Sequence, residues 1–358
     1  MQGSTAPKSG ARVGIVANPA AGRDIRRLVA QASVFPIAEK RNMITRAFSA
    51  LGATGVEEVL VMPDGAGLTH RIVRAVRAPR LDGQTWPRID FVDIEPDDTP
   101  EDTLKAASLM VEAGVGAIIV LGGDGTNRLV ARVAGDVPLV SLSTGTNNVF
   151  PAVREATIAG LAAGLVATGQ VPIEQACLRN KALRLEVNGA ARDLALVDLC
   201  VSDELFVGAK ALWRTDGLDQ LFVSFAEAEA IGLSAIAGLL RPVSRRAPFG
   251  LRLDLCPPER APQLVAAPIA PGIIVEVGVE AVVPLAAGEA TPLRLARGVV
   301  ALDGEREVEF SPADKVVVRL AQDGPLSVDI ERTMMLAAQN GLFVRDRLAT
   351  RGVGARTA

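Results

Sequence analysis

The sequence predicts an α/β chain: an N-terminal doubly wound parallel sheet domain followed by a C-terminal β-rich, sandwich-like domain. Three observations predict it. Short apolar runs alternate with helical spacing through the first 150 residues, the pattern of strands joined by crossover helices. Three loops rich in Gly, Asn and Thr each follow directly on one of those runs, where a parallel sheet presents its ligand-binding edge. After residue 167 the pattern changes to short runs between turn residues, several alternating polar with apolar, which reads as antiparallel sheet.

Residues 13–17 are an apolar run stopped by Asn18-Pro19 and read as a buried strand. Helical spacing follows over 24–32 and 40–51. Residues 58–62 read as a strand ended by Pro63-Asp64-Gly65, 68–76 as a helix and 88–94 as a strand. Thr99-Pro100-Glu101-Asp102 starts a helix that runs to 112: Thr caps it, Pro fits its first turn, and acids face its positive end. Residues 116–121 are a strongly apolar strand, a helix runs from the following turn to 133, 138–142 is the next strand, and 152–167 is a helix rich in Ala and Gly. In the second half, 183–187, 193–201, 251–255, 272–279, 293–295, 299–302, 308–310 and 315–320 read as short strands, with helical spacing over 208–240. Residues 332–348 read as a helix able to return to the first domain. The expected division is 12–150 for an α/β domain binding nucleotide phosphates, 151–330 for a β-rich substrate domain, and 331–358 for a C-terminal helix and tail.

Composition narrows the function classes. Across 358 residues, 38 Lys and Arg face 41 Asp and Glu, a net charge of −3 that gives no support to a general nucleic-acid or anionic-membrane surface. Hydrophobic residues make up 49% and charged residues 22%, enough for a sizeable core. With 3% aromatics and no Tyr, that core must be built from Ala, Val, Leu and Ile. Cys177, Cys200 and Cys256 are widely spaced, which argues against a zinc site or a disulfide framework and fits a reducing compartment. The single histidine, His70, rules out a His-rich metal site and reads as a surface or helix-capping residue. The N-terminus lacks the apolar stretch of a signal peptide, and no uncharged apolar run reaches about 18 residues. A cytoplasmic protein without a membrane span or nucleic-acid partner is expected, self-associating as a homo-oligomer and acting on a small-molecule nucleotide.

The chemistry concentrates in the three loops. Val120-Leu121-Gly122-Gly123-Asp124-Gly125-Thr126-Asn127 runs from a buried strand through a Gly-rich turn into a helix. Glycines let backbone N–H groups approach an anion, and the helix N-terminus adds partial positive charge, so this is a phosphate cradle. It is neither a Walker A loop nor the dinucleotide fingerprint, because Arg128 stands where that fingerprint needs Gly or Ala. Asp124 inside the cradle has two readings: it holds a metal ion or accepts a proton from an attacking hydroxyl, or it merely caps the helix. Ser143-Thr144-Gly145-Thr146-Asn147-Asn148 is dense in hydroxyl and amide groups suited to phosphate or ribose, or is an ordinary strand-to-helix turn. Asn18-Pro19-Ala20-Ala21-Gly22-Arg23 ends in a base near a helix start. Arg241, Arg245 and Arg246 form a small basic cluster whose default reading is a solvated loop.

Taken together, Asn18-Pro-x-x-Gly22, Gly122-Gly-Asp-Gly-Thr126 and Thr144-Gly-Thr-Asn-Asn148 resemble the superfamily of NAD kinases, diacylglycerol kinases and sphingosine kinases. The texture of residues 18–27 looks most like the ATP-NAD kinase-like branch that includes the X protein of acetoin-catabolism operons. The resemblance covers residues 12–170 well and the remainder loosely. It implies ATP and Mg²⁺ as cofactors and an active site between the two domains. It implies Asp124 as the catalytic acid or base, with Gly122, Gly123, Gly125, Thr126 and Asn127 lining the phosphates. Asn18, Pro19, Gly22, Arg23, Thr144, Gly145, Thr146, Asn147 and Asn148 would complete the nucleotide site. Asp303-Gly304-Glu305 resembles a late Asp-Gly-Glu segment of these kinases that faces substrate; it reads equally as a hairpin turn. Two departures stand out. The Asn-Glu pair that holds the dinucleotide in NAD kinases corresponds here to Val197-Asp198, and their Thr-Pro-Thr-Gly-Ser-Thr-Ala-Tyr motif to residues 231–238, without Tyr. The expected activity is phosphorylation of a hydroxyl of NAD or a related nucleotide. The alternatives are a lipid or small-metabolite kinase of the diacylglycerol kinase type, and a non-catalytic nucleotide-binding accessory protein of acetoin catabolism.

Overall fold

The computed structural model describes residues 7–19, 35–79, 85–145, 147–203 and 217–344. The helix expected over 24–32, together with Gly22, Arg23 and Thr146, lies outside these residues.

Five strands form the parallel sheet: β1 (Arg12–Ala17), β2 (Glu58–Val61), β3 (Arg88–Phe91), β4 (Ala117–Gly122) and β5 (Leu139–Ser143), in the order β3-β2-β1-β4-β5. Two short strands extend it: β18 (Leu326–Val328) runs parallel beside β5, and β6 (Cys177–Arg179) runs antiparallel beside β18. The central strands are apolar throughout because both faces are covered. Val13, Ile15 and Ala17 of β1 point into one core layer with Ile119 and Leu121 of β4. Val16, Ile118 and Val120 point into the other. The helices Ile37–Ala53 and Ala156–Ala167 cover the first face, and Pro100–Glu112 and Asp124–Ala131 the second. The expected helix start at Thr99 forms a capping box with Asp102.

The second half is two antiparallel sheets. One has the order β12-β13-β11-β10-β9-β15-β16, built from β9 (Asp198–Ser202), β10 (Leu218–Val223), β11 (Phe249–Cys256), β12 (Gln263–Ala270), β13 (Ile273–Ala286), β15 (Gly298–Leu302) and β16 (Glu305–Phe310). The other has the order β14-β17-β7-β8, from β7 (Ala182–Val187), β8 (Ala190–Ala195), β14 (Thr291–Pro292) and β17 (Val316–Ala321). Leu183, Leu185, Leu199, Phe222, Val300 and Val318 fill the space between them. The helix Ser234–Leu240 covers the far face of the larger sheet through Ile236 and Ala237. The fold is therefore the α/β domain plus sandwich that the pattern predicts.

Some elements differ from expectation. The run 193–201 is two strands, broken at Leu196-Val197, whose N–H groups turn to the Asp303 carboxylate. The helical spacing over 208–240 contains strand β10, and the strand expected at 293–295 falls instead at Thr291–Pro292. The chain crosses between the halves twice, and the crossings are tied together: Asn180 donates N–H and Nδ2 to the Pro325 carbonyl at 3.0 and 2.8 Å. Thus the Ala156–Ala167 helix, β6 and β18 sit with the parallel sheet, beyond the boundary drawn at residue 150. The Ile330–Gln339 helix joins them, with Ala337 in the same core. No helix among the described residues is long and apolar enough to cross a membrane.

Candidate active site

Strand order reverses between β1 and β4, the point at which open parallel sheets take up ligands outside the carboxyl ends of their strands. The loop after β1 and the loop after β4 flank this point. The Asn18 N–H donates to the Leu121 carbonyl at 3.2 Å, and Asn18 Nδ2 donates to Thr126 Oγ1 at 3.2 Å. The side chain of Thr126 packs under Gly122, where a Cβ would stand 2.6 Å from the Thr126 Cβ. Gly122 is thus required by contact rather than by backbone angle.

The loop after β5 closes on the same cradle. Ser143 is its hub: Asn148 Nδ2 donates to Ser143 Oγ at 2.8 Å, and Ser143 Oγ donates to the Gly145 carbonyl at 2.9 Å. Asn148 lies against Gly123, so that a Cβ there would be 2.7 Å from Asn148 Oδ1. Asn127, in the first turn of its helix, donates Nδ2 to the Gly123 carbonyl at 2.9 Å. Asn127 Oδ1, Thr144 Oγ1 and Asn147 Oδ1 are buried without a hydrogen-bond partner among the described residues. Such atoms cost free energy until something pairs with them.

Asp124 is buried, and its carboxylate is engaged. Oδ1 accepts from the Phe150 N–H at 2.7 Å, and both oxygens accept from the Val149 N–H, at 3.1 and 3.0 Å. The acid therefore stands in the cradle while holding the segment just after the third loop.

The second half contributes from the hairpin between β15 and β16. Asp303 and Gly304 both have positive φ, 50° and 79°, as a tight primed turn requires. The hairpin reading of Asp303-Gly304 therefore holds. The Asp303 carboxylate is buried and turned inward, accepting from the N–H groups of Leu196, Val197 and Asp198 at 2.8–3.2 Å. Burial pushes its carboxyl up to about 6, against the pull of Arg128 and the backbone donors. It anchors the turn rather than offering a free carboxylate to substrate. Asp198 is buried beside it and accepts the Asp303 N–H on its carbonyl at 2.9 Å. Glu305, one residue past the turn, is the carboxylate that faces the cradle: it lies 3.6 Å from where a Cβ of Gly125 would stand. The structure thus brings Asn18, Gly122–Asn127, Thr144, Gly145, Asn148 and Glu305 together across the two halves.

Three residues make contacts here that were not read from the sequence. Lys40 is fully buried and donates to the carbonyls of Asn18 and Pro19 at 2.7 and 3.2 Å. It occupies the apolar stripe Lys40, Met43, Ile44, Ala47, Phe48, Leu51 of its helix, and a lysine on such a stripe is a legible signal. Arg128 pairs with Asp193 across the halves at 3.0 Å. Arg245, read as a solvated loop residue, donates to the Val149 and Phe150 carbonyls at 2.6 and 3.1 Å. His70 sits exposed on the helix Leu68–Arg77, away from this chemistry.

These residues fit nucleotide phosphates: a glycine cradle, a helix N-terminus and unpaired amide and hydroxyl groups converge. No group of three or more His, Cys, Asp or Glu able to hold a metal ion occurs among the described residues. A divalent cation would therefore be held by phosphate oxygens and one or two carboxylates, the mode magnesium takes with nucleotides. Asp124, next to Gly125 in the chain, and Glu305, which approaches Gly125 from the second half, would be the carboxylates to hold it.

Residues 13–171 match the ATP-NAD kinase N-terminal domain, and residues 181–323 match the acetoin catabolism protein X C-terminal domain. The Asn180 crossing lies in the short stretch between the two matches. Acetoin catabolism protein X of Cupriavidus necator is 46% identical over 335 residues, 92% of this chain and 93% of the relative. Two solved structures of a proposed diacylglycerol kinase from Bacillus anthracis str. Sterne are 13% and 12% identical. Each covers 88% of this chain and 97% of its own, with TM-scores of 0.43 and 0.40. On the extent and identity of the match to the Cupriavidus protein, the chain belongs to the acetoin catabolism protein X family, with an ATP-NAD kinase domain as its first half.

Proposed function

We propose that the chain is an ATP-dependent phosphotransferase that phosphorylates a hydroxyl of NAD or a related nucleotide in the cytoplasm. The carrying observation is the convergence of Asn18, the Gly122–Asn127 turn, Asn148 and Glu305 at the strand-order reversal. Phosphoryl transfer needs positioning and charge neutralisation more than covalent chemistry. Gly122, Gly123 and the first amides of the Asp124–Ala131 helix would cradle the phosphates, and Asn18, Thr126 and Lys40 would hold that loop in shape. Thr144, Asn147 and Asn127 would supply the polar partners their buried atoms lack. Mg²⁺, when bound, would neutralise charge on the transferred phosphoryl group, with Asp124 and Glu305 as its protein ligands. The acceptor would enter from the side of Asp198 and the Asp303-Gly304 turn.

A second reading rests on Asp124 itself. Both its oxygens accept backbone N–H groups, which favours an acid that fixes the loop in a nucleotide-binding accessory protein without catalysis. The discriminating experiment is NADP formation from NAD, ATP and Mg²⁺ by wild type, Asp124→Asn and Glu305→Gln. Turnover in wild type that falls at least about a hundredfold in Asp124→Asn supports the kinase. ATP binding without turnover on NAD or on other hydroxylated acceptors supports the accessory role.

A further inference from the structure

We propose that Arg245 is a positioning residue of the phosphate site: it reaches from the second half and fixes the Val149-Phe150 segment on which Asp124 depends. The case rests on a two-sided grip. Asp124 accepts the N–H groups of Val149 and Phe150. Arg245 donates Nη2 to the Val149 carbonyl at 2.6 Å and Nη1 to the Phe150 carbonyl at 3.1 Å. The same two residues are thus held on both their donor and acceptor sides, by one residue from each half of the fold.

The guanidinium is itself fixed. Its Nε donates to Glu227 Oε1 at 2.9 Å and Nη2 to Glu227 Oε2 at 3.3 Å. It lies 4.2 Å from the centre of the Phe225 ring and 5.8 Å from that of Phe150. The loop that carries it is closed at its base, because buried Lys181 donates Nζ to the carbonyls of Ser244 and Phe249 at 3.2 and 2.8 Å. An arginine so committed is not available to bind a phosphate directly. Its effect on a ligand must pass through residues 149 and 150, which join the 143–148 loop to the Ala156–Ala167 helix. The planar fork matters: a lysine donates from a single nitrogen, without the spread of three nitrogens that lets the guanidinium reach two carbonyls and both oxygens of a carboxylate.

The kinetic consequence rests on the nucleotide-site reading, but the geometric one does not, so the test has two arms. In the full chain, Arg245→Ala and Arg245→Lys are compared with wild type by amide hydrogen exchange and by calorimetric titration with ATP and Mg²⁺. The expected result is that Arg245→Ala raises exchange at Val149 and Phe150 about tenfold or more relative to the β1 and β4 amides. It also weakens ATP by about tenfold, and Arg245→Lys falls between on both measures. If Arg245→Ala does not fold, Glu227→Gln, which loosens the guanidinium from one side, should show the same changes in smaller degree. Unchanged exchange at Val149 and Phe150, or loosening spread evenly over the chain, overturns the proposal. Raised exchange at those two amides with unchanged ATP affinity also overturns it, leaving a purely structural arginine. Absence of ATP binding in wild type would instead defeat the nucleotide reading, and the exchange arm would still decide whether Arg245 fixes the segment.

Discussion

The guanidinium of Arg128 lies 3.0 Å from the carboxylate of Asp193, with side-chain exposures of only 4% and 12%. Arg128 belongs to the helix that begins at Asp124, and Asp193 to β8 of the smaller antiparallel sheet. The pair therefore pins the cradle helix to the second half, and the field of Arg128 also reaches Asp303. Removing one partner of a buried pair leaves an uncompensated charge. Asp193→Asn should destabilise the fold by about 3 kcal/mol in urea unfolding. An apolar double replacement, Arg128→Met with Asp193→Leu, should recover most of that loss. A loss below about 1 kcal/mol would show that the pair carries little of the docking.

The two glycines of the cradle should separate stability from binding. A Cβ at Gly122 meets the branched Cβ of buried Thr126 at 2.6 Å, and neither group can step aside. Gly122→Ala should cost about 1–3 kcal/mol in the same unfolding measurement. A Cβ at Gly123 meets only the end of the Asn148 side chain, which can rotate away from Ser143. Gly123→Ala should leave the unfolding midpoint nearly unchanged. Equal losses of stability in the two variants would contradict this assignment of contacts.

Lys181 sets a pH dependence. Burial brings its ammonium down from 10.5 to about 8. Below pH 8 the lysine is protonated in both states, and the folded state bears the cost of burying the charge. Between about 8 and 10.5 the folded lysine is neutral while the unfolded one still holds its proton. The unfolded state then binds more protons, so stability rises with pH across this window. Unfolding free energy followed from pH 7.5 to 10.5 should show a rise that Lys181→Met lacks. The same slope in both proteins would place the titration elsewhere.

The parallel half was legible in the sequence because its strands are continuous apolar runs with loops of distinctive chemistry at their ends. Asn18, Gly122–Asn127 and the 144–148 loop could be named before any geometry was known. Strand β10 was hidden because it is almost fully buried, and a run without alternation cannot be told from a helix by its period. Strands β6 and β18 are three residues each and exist only because the two crossings meet. The break at Leu196-Val197 was hidden for a related reason: its cause, the Asp303 carboxylate, is more than 100 residues away. Arg245 looked like a solvated base because nothing nearby in sequence names its partners Val149 and Phe150. Lys40 did leave a trace, as a charge on an apolar helical stripe.

The most direct test of the central claim, that these loops form one nucleotide-phosphate site, is a calorimetric titration with ATP and Mg²⁺. Wild type and Gly123→Ala are to be compared at matched folding. The account predicts one site per chain in wild type, weakened at least about tenfold in Gly123→Ala, because the added methyl fills the cradle and displaces Asn148. No binding in wild type, or equal binding by a folded Gly123→Ala, would contradict it.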